Sequence, residues 1–155
     1  MNVSFIIHTE PVGKGRPRVT SIGGRPRMYT PAKTKQFEQA VSLAASSHLT
    51  ERIDVAIRVD ILAIASRPKR LMRKKDKDKL IYRTTKPDAD NVRKAVLDGL
   101  SLFFDDKQVV AGDTLSLYCS KSGTGCVAVK ITTDIEGPDV LIENLGLLIP
   151  LPQSQ

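Results

Sequence analysis

The sequence predicts an α+β fold: a single two-layer domain, with a small mixed β-sheet of about four strands and two α-helices packed on it. Three observations carry that expectation. The 155 residues suit one domain, and 41% hydrophobic residues suffice for an ordinary core. Two segments repeat apolar residues at helical spacing, and four others are rich in β-branched residues or alternate with period two. Stretches rich in Gly, Pro and basic residues punctuate the chain between them.

Val3–Thr9, with β-branched and aromatic residues, reads as the first strand. A basic loop follows. Thr30-Pro31 resembles an N-cap with proline at the first helical position, and Phe37, Ala40, Val41, Ala44, Ala45 and His48 then recur on one face. His48 is expected to pack in the core, and His8 is given no role. Ile53–Ala65 alternates as a long strand with one buried face. A second basic loop, Ser66–Thr85, precedes a helix over Asp90–Phe103. Gln108–Cys119 and Cys126–Thr133 read as strands joined in a hairpin through the Gly/Ser-rich 120–125 connection. Cys119 and Cys126 fit neither a CxxC motif nor a zinc pair and are expected to stay reduced. The apolar tail Val140–Leu151 could cover a sheet edge or serve a subunit contact.

Several function classes are excluded by composition. No apolar run approaches the roughly 20 residues that cross a bilayer. Met1–Glu10 carries no basic leader, and two cysteines make no disulfide framework. A soluble, cytoplasmic protein is expected. The net charge of +7 is unevenly spread: Pro11–Phe37 holds seven basic residues and no acid. Arg67–Lys86 holds ten against Asp76 and Asp78, which leaves −8 for the rest of the chain. Basic loops on a mildly acidic body point to a polyanion, and neither loop has the apolar face of a membrane-surface helix. Candidate phosphate contacts are Lys14, Arg16, Arg18, Arg25 and Arg27 in the first, and Arg67, Lys69, Arg70, Arg73, Lys74, Lys75 and Lys86 in the second. Charge runs of this kind also occur as plain solvated loops.

The stretch Lys86-Pro87-Asp88-Ala89-Asp90-Asn91-Val92-Arg93-Lys94 holds the chemistry. Asp88 and Asp90, two apart in extended chain, point the same way about 6–7 Å apart and can converge on one hard cation. Asp90 also falls where a helix N-cap belongs, so capping is the competing explanation. A second acidic pair, Asp105-Asp106, follows one helix later and could return to the same edge. Acids repel phosphate, and a cation bridging carboxylates to phosphate oxygens resolves that repulsion. Magnesium suits such oxygen ligands, whereas zinc would want His or Cys nearby. Lys94 is placed to neutralise charge on a phosphate or to pair with Asp90 and Asp98. These residues point to a metal-dependent phosphodiesterase acting on nucleic acid.

The run from Lys86 to Leu100, with Asp88, Asp90, Asn91, Lys94 and Asp98 in D-x-D-N-x-x-K-x-x-x-D order, continues into Phe104-Asp105-Asp106-Lys107-Gln108-Val109. It resembles the RusA family of Holliday junction resolvases, found in bacteria largely on prophages. Gly15-Arg16-Pro17-Arg18 with Tyr29-Thr30 is similar to phage-type members. The resemblance covers roughly residues 1–134 as a nuclease domain and leaves 135–155 as a tail of undefined role. It implies that Asp88, Asp90 and Asp106 are catalytic and bind Mg²⁺, for which Mn²⁺ would substitute. It further implies that Lys94 is essential and that Asp98 and Asp105 support the site. The implied activity is a homodimeric endodeoxyribonuclease making symmetric paired nicks in four-way junctions, in recombination and repair. Two alternatives stay open: a branched-DNA nuclease without junction specificity, and a non-enzymatic basic DNA-binding protein.

Overall fold

The computed structural model describes residues 1–137, and the apolar segment Val140–Leu151 lies outside the described residues. Its elements run β1 (Asn2–Ile7), β2 (Arg18–Ile22), β3 (Arg25–Tyr29), α1 (Ala32–Ser46), β4 (Ile57–Ala65) and β5 (Ile81–Tyr82). They continue with α2 (Ala89–Gly99), β6 (Val109–Ala111), β7 (Thr114–Tyr118) and β8 (Cys126–Thr132). The α+β class holds, with two helices on a mixed sheet that has six strands rather than about four.

The nine-residue β4 sets the architecture. Its odd-numbered residues from Ile57 to Ala65 are buried, and the residues between them are half-buried. Such a strand needs neighbours on both sides. It has β8 antiparallel on one side and β7 parallel on the other, giving the order β1-β8-β4-β7-β5, with β6 pairing the start of β4. The expected 108–119/126–133 hairpin is therefore corrected: β4 lies between the two strands, and the 119–125 connection passes the end of β4. A period of two reveals that a segment is a strand and says nothing of its partner. Ile53–Val55 also falls outside the strand expected there, with Val55 exposed.

Both helices pack on one sheet face. Thr34, Phe37, Val41 and Ala45 of α1 fall at i, i+3, i+7 and i+11, and Val92, Ala95, Val96 and Gly99 of α2 at i, i+3, i+4 and i+7. They close over Phe5, Ile7, Val59, Ile61, Val127, Val129 and Ile131, with Leu100, Phe103 and Phe104 sealing the end of α2. His48 lies beyond the end of α1 and is exposed, stacking on Phe5 at 5.9 Å rather than entering the core. Cys119 and Cys126 are free thiols. No helix among the described residues is long and apolar enough to cross a membrane.

The first basic segment is not all loop. β2 and β3 form an antiparallel ribbon with Arg18 opposite Tyr29 and Ile22 opposite Arg25. Gly23 and Gly24 make its turn, both at positive φ (60° and 76°), where a side chain would be strained. Pro26 is accommodated because a two-stranded ribbon leaves one side of each strand unpaired. The glycine and proline that read as breakers thus mark the turn and an edge position.

Candidate active site

The acids sit at the two ends of α2. Asp88, not Asp90, is the N-cap residue, with extended backbone (φ −68°, ψ 156°) and no side-chain capping bond. Asp90 lies in the first turn, where the positive end of the helix dipole favours a carboxylate. The approach is clamped by Arg83, which sequence reasoning missed. This buried guanidinium donates to the Pro87 carbonyl at 2.7 Å and the Thr85 carbonyl at 3.3 Å. Lysine and arginine are so common in this chain that nothing in the sequence distinguishes Arg83 from its neighbours.

Asp88 is exposed, and its carboxylate has no hydrogen-bond or ion-pair partner among the described residues. It lines a cleft of about 620 Å³ together with Pro11, Gly13, Lys14, Arg16, Lys33, Lys86 and Asn91. The Lys14 amide donates to the Asn91 carbonyl at 2.9 Å and ties the first basic segment to the start of α2. Lys33 is a cleft residue absent from the sequence candidates, and no motif marked it. Lys94 donates to Asp90 at 3.0 Å one turn on, and this bond holds the Asp90 carboxyl below its ordinary pKa. Both side chains are largely exposed, so the pair is readily exchanged for solvent or a phosphate.

Asp105 and Asp106 do not return to this edge. The eleven residues of α2 span roughly 16 Å, and the second pair follows its C-terminal end. There Asp105 caps a 3₁₀ turn, Asp106–Gln108, in a capping box with Gln108. Asp105 also accepts from Arg52 at 2.6 Å, which lowers its pKa. Gln108 anchors the turn by donating to the Ile53 carbonyl at 2.8 Å and the Val55 carbonyl at 3.1 Å. Asp106 is exposed with no side-chain partner among the described residues. Asp98 pairs with Lys14, not Lys94. Thus Asp98 and Asp105 are occupied by cations, whereas Asp88 and Asp106 stand free.

Among the described residues, no three His, Cys, Asp or Glu side chains are grouped closely enough to hold a metal ion. Asp88 and Asp90 by themselves suit magnesium, which is commonly bound through one or two carboxylates plus substrate phosphate oxygens. Asp106 of the same chain does not join them.

The basic candidates divide in the same way. The side chains of Arg16, Arg18, Arg25, Arg27, Lys69, Arg70, Lys74, Lys75 and Lys86 have no hydrogen-bonding or ion-pair partner among the described residues. Arg67 is a correction. It is buried, and its guanidinium donates to the carbonyls of Cys119 (3.0 Å), Lys77 (2.8 Å), Leu71 (3.4 Å) and Lys79. It therefore folds the second basic loop from inside and is largely shielded from solvent. Arg73 is paired with Asp76, and Lys14 with Glu38 and Asp98. Partial burial works against the Lys14 charge, but the bonds to Asp98 and Glu38 outweigh it and raise the pKa.

Comparison with known proteins places the chain in a family. The family model described as endodeoxyribonuclease RusA matches residues 8–132. The uncharacterised protein YqaN of Bacillus subtilis (strain 168) is 40% identical over 116 residues, covering 70% of this chain and 82% of that protein.

Proposed function

The chain belongs to the RusA endodeoxyribonuclease family, and on that premise we propose that it resolves four-way DNA junctions as a homodimer. The observation that carries the reading is a free carboxylate, Asp88, in a cleft whose other charged lining residues are the cations Lys14, Arg16, Lys33 and Lys86. A cleft meant only to dock DNA gains nothing from an acid that repels phosphate. Asp88 and Asp90 would hold Mg²⁺, or Mn²⁺ in its place. Bound there, the ion would supply Lewis acidity at the scissile phosphate and lower the pKa of its water.

The chain's own residues do the rest. Arg16, Lys33 and Lys86 draw the backbone into the cleft and neutralise its phosphates. Lys94, within reach of Asp90, can shift to a non-bridging or leaving oxygen as charge develops there. Arg83 holds the Pro87 carbonyl so that Asp88 keeps its position at the helix start. Asp106 is assigned to the same chemistry through the second copy. A two-fold axis crossing α2 near its middle would set the Asp88 end of each chain against the Asp106 end of the other and make two sites at once. The separation of these acids along α2 supports dimeric action, and two symmetric sites account for paired nicks in opposing strands. The basic residues of the second loop, with Arg67 set aside as a folding residue, would hold the junction arms. The family's frequent place on prophages suggests a bacterial, cytoplasmic setting.

The test uses an immobile four-way junction and linear duplex of the same sequence, each with Mg²⁺ or EDTA, with Asp90→Asn alongside. The expected result is paired, symmetric, Mg²⁺-dependent nicks in the junction only, lost in Asp90→Asn while junction binding persists. Equal cutting of both DNAs would remove junction specificity. Binding without cutting under any divalent metal would remove the enzymatic assignment.

A further inference from the structure

The β2–β3 ribbon is the part of the fold that the nuclease site leaves unexplained. Every described side chain from Arg18 to Tyr29 is exposed, so the ribbon contributes nothing to the core. Its strand register sorts the side chains onto two unlike faces. One carries Arg18, Arg25, Arg27 and Tyr29. The other carries the cross-strand pair Val19 and Met28, which are 65% and 72% exposed. Two apolar side chains held opposite one another in water call for a partner, and the cationic reverse face narrows its chemistry.

The ribbon is rooted at the active-site cleft on both sides. Arg16, just before β2, and Lys33, just after β3, both line the cleft that holds Asp88. The Gly15 amide donates to the Thr34 hydroxyl at 3.2 Å and stitches the two roots together. Whatever phosphate backbone enters the cleft passes beside the ribbon.

We propose that this ribbon recognises the branch point of DNA: its arginine face lies on phosphates, and Val19 and Met28 pack on a base pair left unstacked at the crossover. The inference rests on the proposed action on branched DNA and names the element that selects the branch. β-Ribbons enter DNA grooves, and apolar side chains insert at disrupted base steps. A linear duplex offers the arginine face its phosphates, but every base face inside it is already stacked. A four-way junction offers both surfaces. Discrimination of this kind reads shape and carries no sequence preference.

The experiment places 2-aminopurine at the crossover of a four-way junction and measures fluorescence and affinity in EDTA, where no strand is cut. Linear duplex of the same sequence serves as reference. Wild type should raise the fluorescence and prefer the junction. In Val19→Ser/Met28→Ser the rise should disappear and the junction preference fall about tenfold, the scale of one base-face contact, with duplex affinity unchanged. In Arg18→Ala/Arg27→Ala both DNAs should bind more weakly, and the salt slope should drop by about two. All four positions are exposed, so the variants should fold as wild type does by circular dichroism. Unchanged fluorescence and preference in the serine variant would overturn the proposal. So would a change in its oligomeric mass with unchanged fluorescence, which would make this face a contact between copies. If wild type shows no junction preference, the ribbon proposal and the junction reading fall together. If wild type cuts junctions with Mg²⁺ and the serine variant discriminates equally well, only the ribbon proposal falls.

Discussion

Arg67→Ala separates a folding role from a DNA-binding one. The buried guanidinium donates to four carbonyls, those of Cys119, Leu71, Lys77 and Lys79, and so joins the second basic loop to the end of β7. Hydrogen bonds from a charged donor contribute about 1.5–3 kcal/mol each. The Leu71 contact, at 3.4 Å, is weak, and the loop carbonyls would partly rehydrate once freed. A net loss of about 3 kcal/mol follows, well below the sum of the bonds. In a domain of this size that lowers the thermal midpoint by roughly 6–12 °C. Amides of residues 71–80 should lose hydrogen-exchange protection before the sheet does. At a temperature where the variant is folded, the slope of log Kd against log salt should match wild type, because no phosphate contact has been removed. The reasoning is refuted if the midpoint is unchanged while the slope falls by about one, the signature of a lost phosphate contact.

Other expectations follow from the same structure. Asp60 accepts from Arg58 at 2.8 Å and from the Asp113 amide at 2.9 Å, and the Arg58 bond chiefly depresses its pKa. A depressed carboxylate stabilises above its unfolded pKa of about 3.9 and loses that contribution as pH falls through the folded value. Asp60→Asn should therefore cost about 1 kcal/mol in urea melts at pH 7, with the gap closing as pH falls through the depressed folded value. Gly112 sits at φ 128°, where a Cβ would lie 1.9 Å from the Val59 carbonyl oxygen. Gly112→Ala should lose about 3 kcal/mol or more by the same melts. Asp105→Ala should lower the thermal midpoint by removing the capping oxygen and the Arg52 pair, whereas Asp106→Asn should leave the midpoint alone and abolish junction nicking. A nicking-competent Asp106→Asn would remove that residue from the chemistry.

Much of the site was legible in one dimension because its signals are local. Asp88 and Asp90 fall at the approach and first turn of α2 with Lys94 one turn beyond Asp90, so their spacing already indicated a helix start carrying two carboxylates and, for Asp90, a counter-charge. The periodicities of α1, α2 and β4 likewise specified which faces are buried, since burial alternates with the backbone's own repeat. What spacing could not convey was direction through space. Spacing alone allows Asp105-Asp106 to return to Asp88, but the rigid rise of α2 carries the pair to the opposite end. Arg67 looked like its exposed neighbours, and only the fold of its own loop turns it inward onto four carbonyls.

The sequence by itself determined the α+β class, the two amphipathic helices, the acidic motif and the basic segments. Each of these rests on residues close along the chain. Tertiary structure alone decided that β4 separates β7 from β8, and that Gly23-Gly24 closes a ribbon inside a supposed loop. It alone also decided that Asp98 and Asp105 are occupied while Asp88 and Asp106 stand free. Those outcomes depend on which hydrogen-bonding edge meets which and on which cation reaches which carboxylate. Such pairings join residues distant in sequence, for which a single chain of letters carries no local mark.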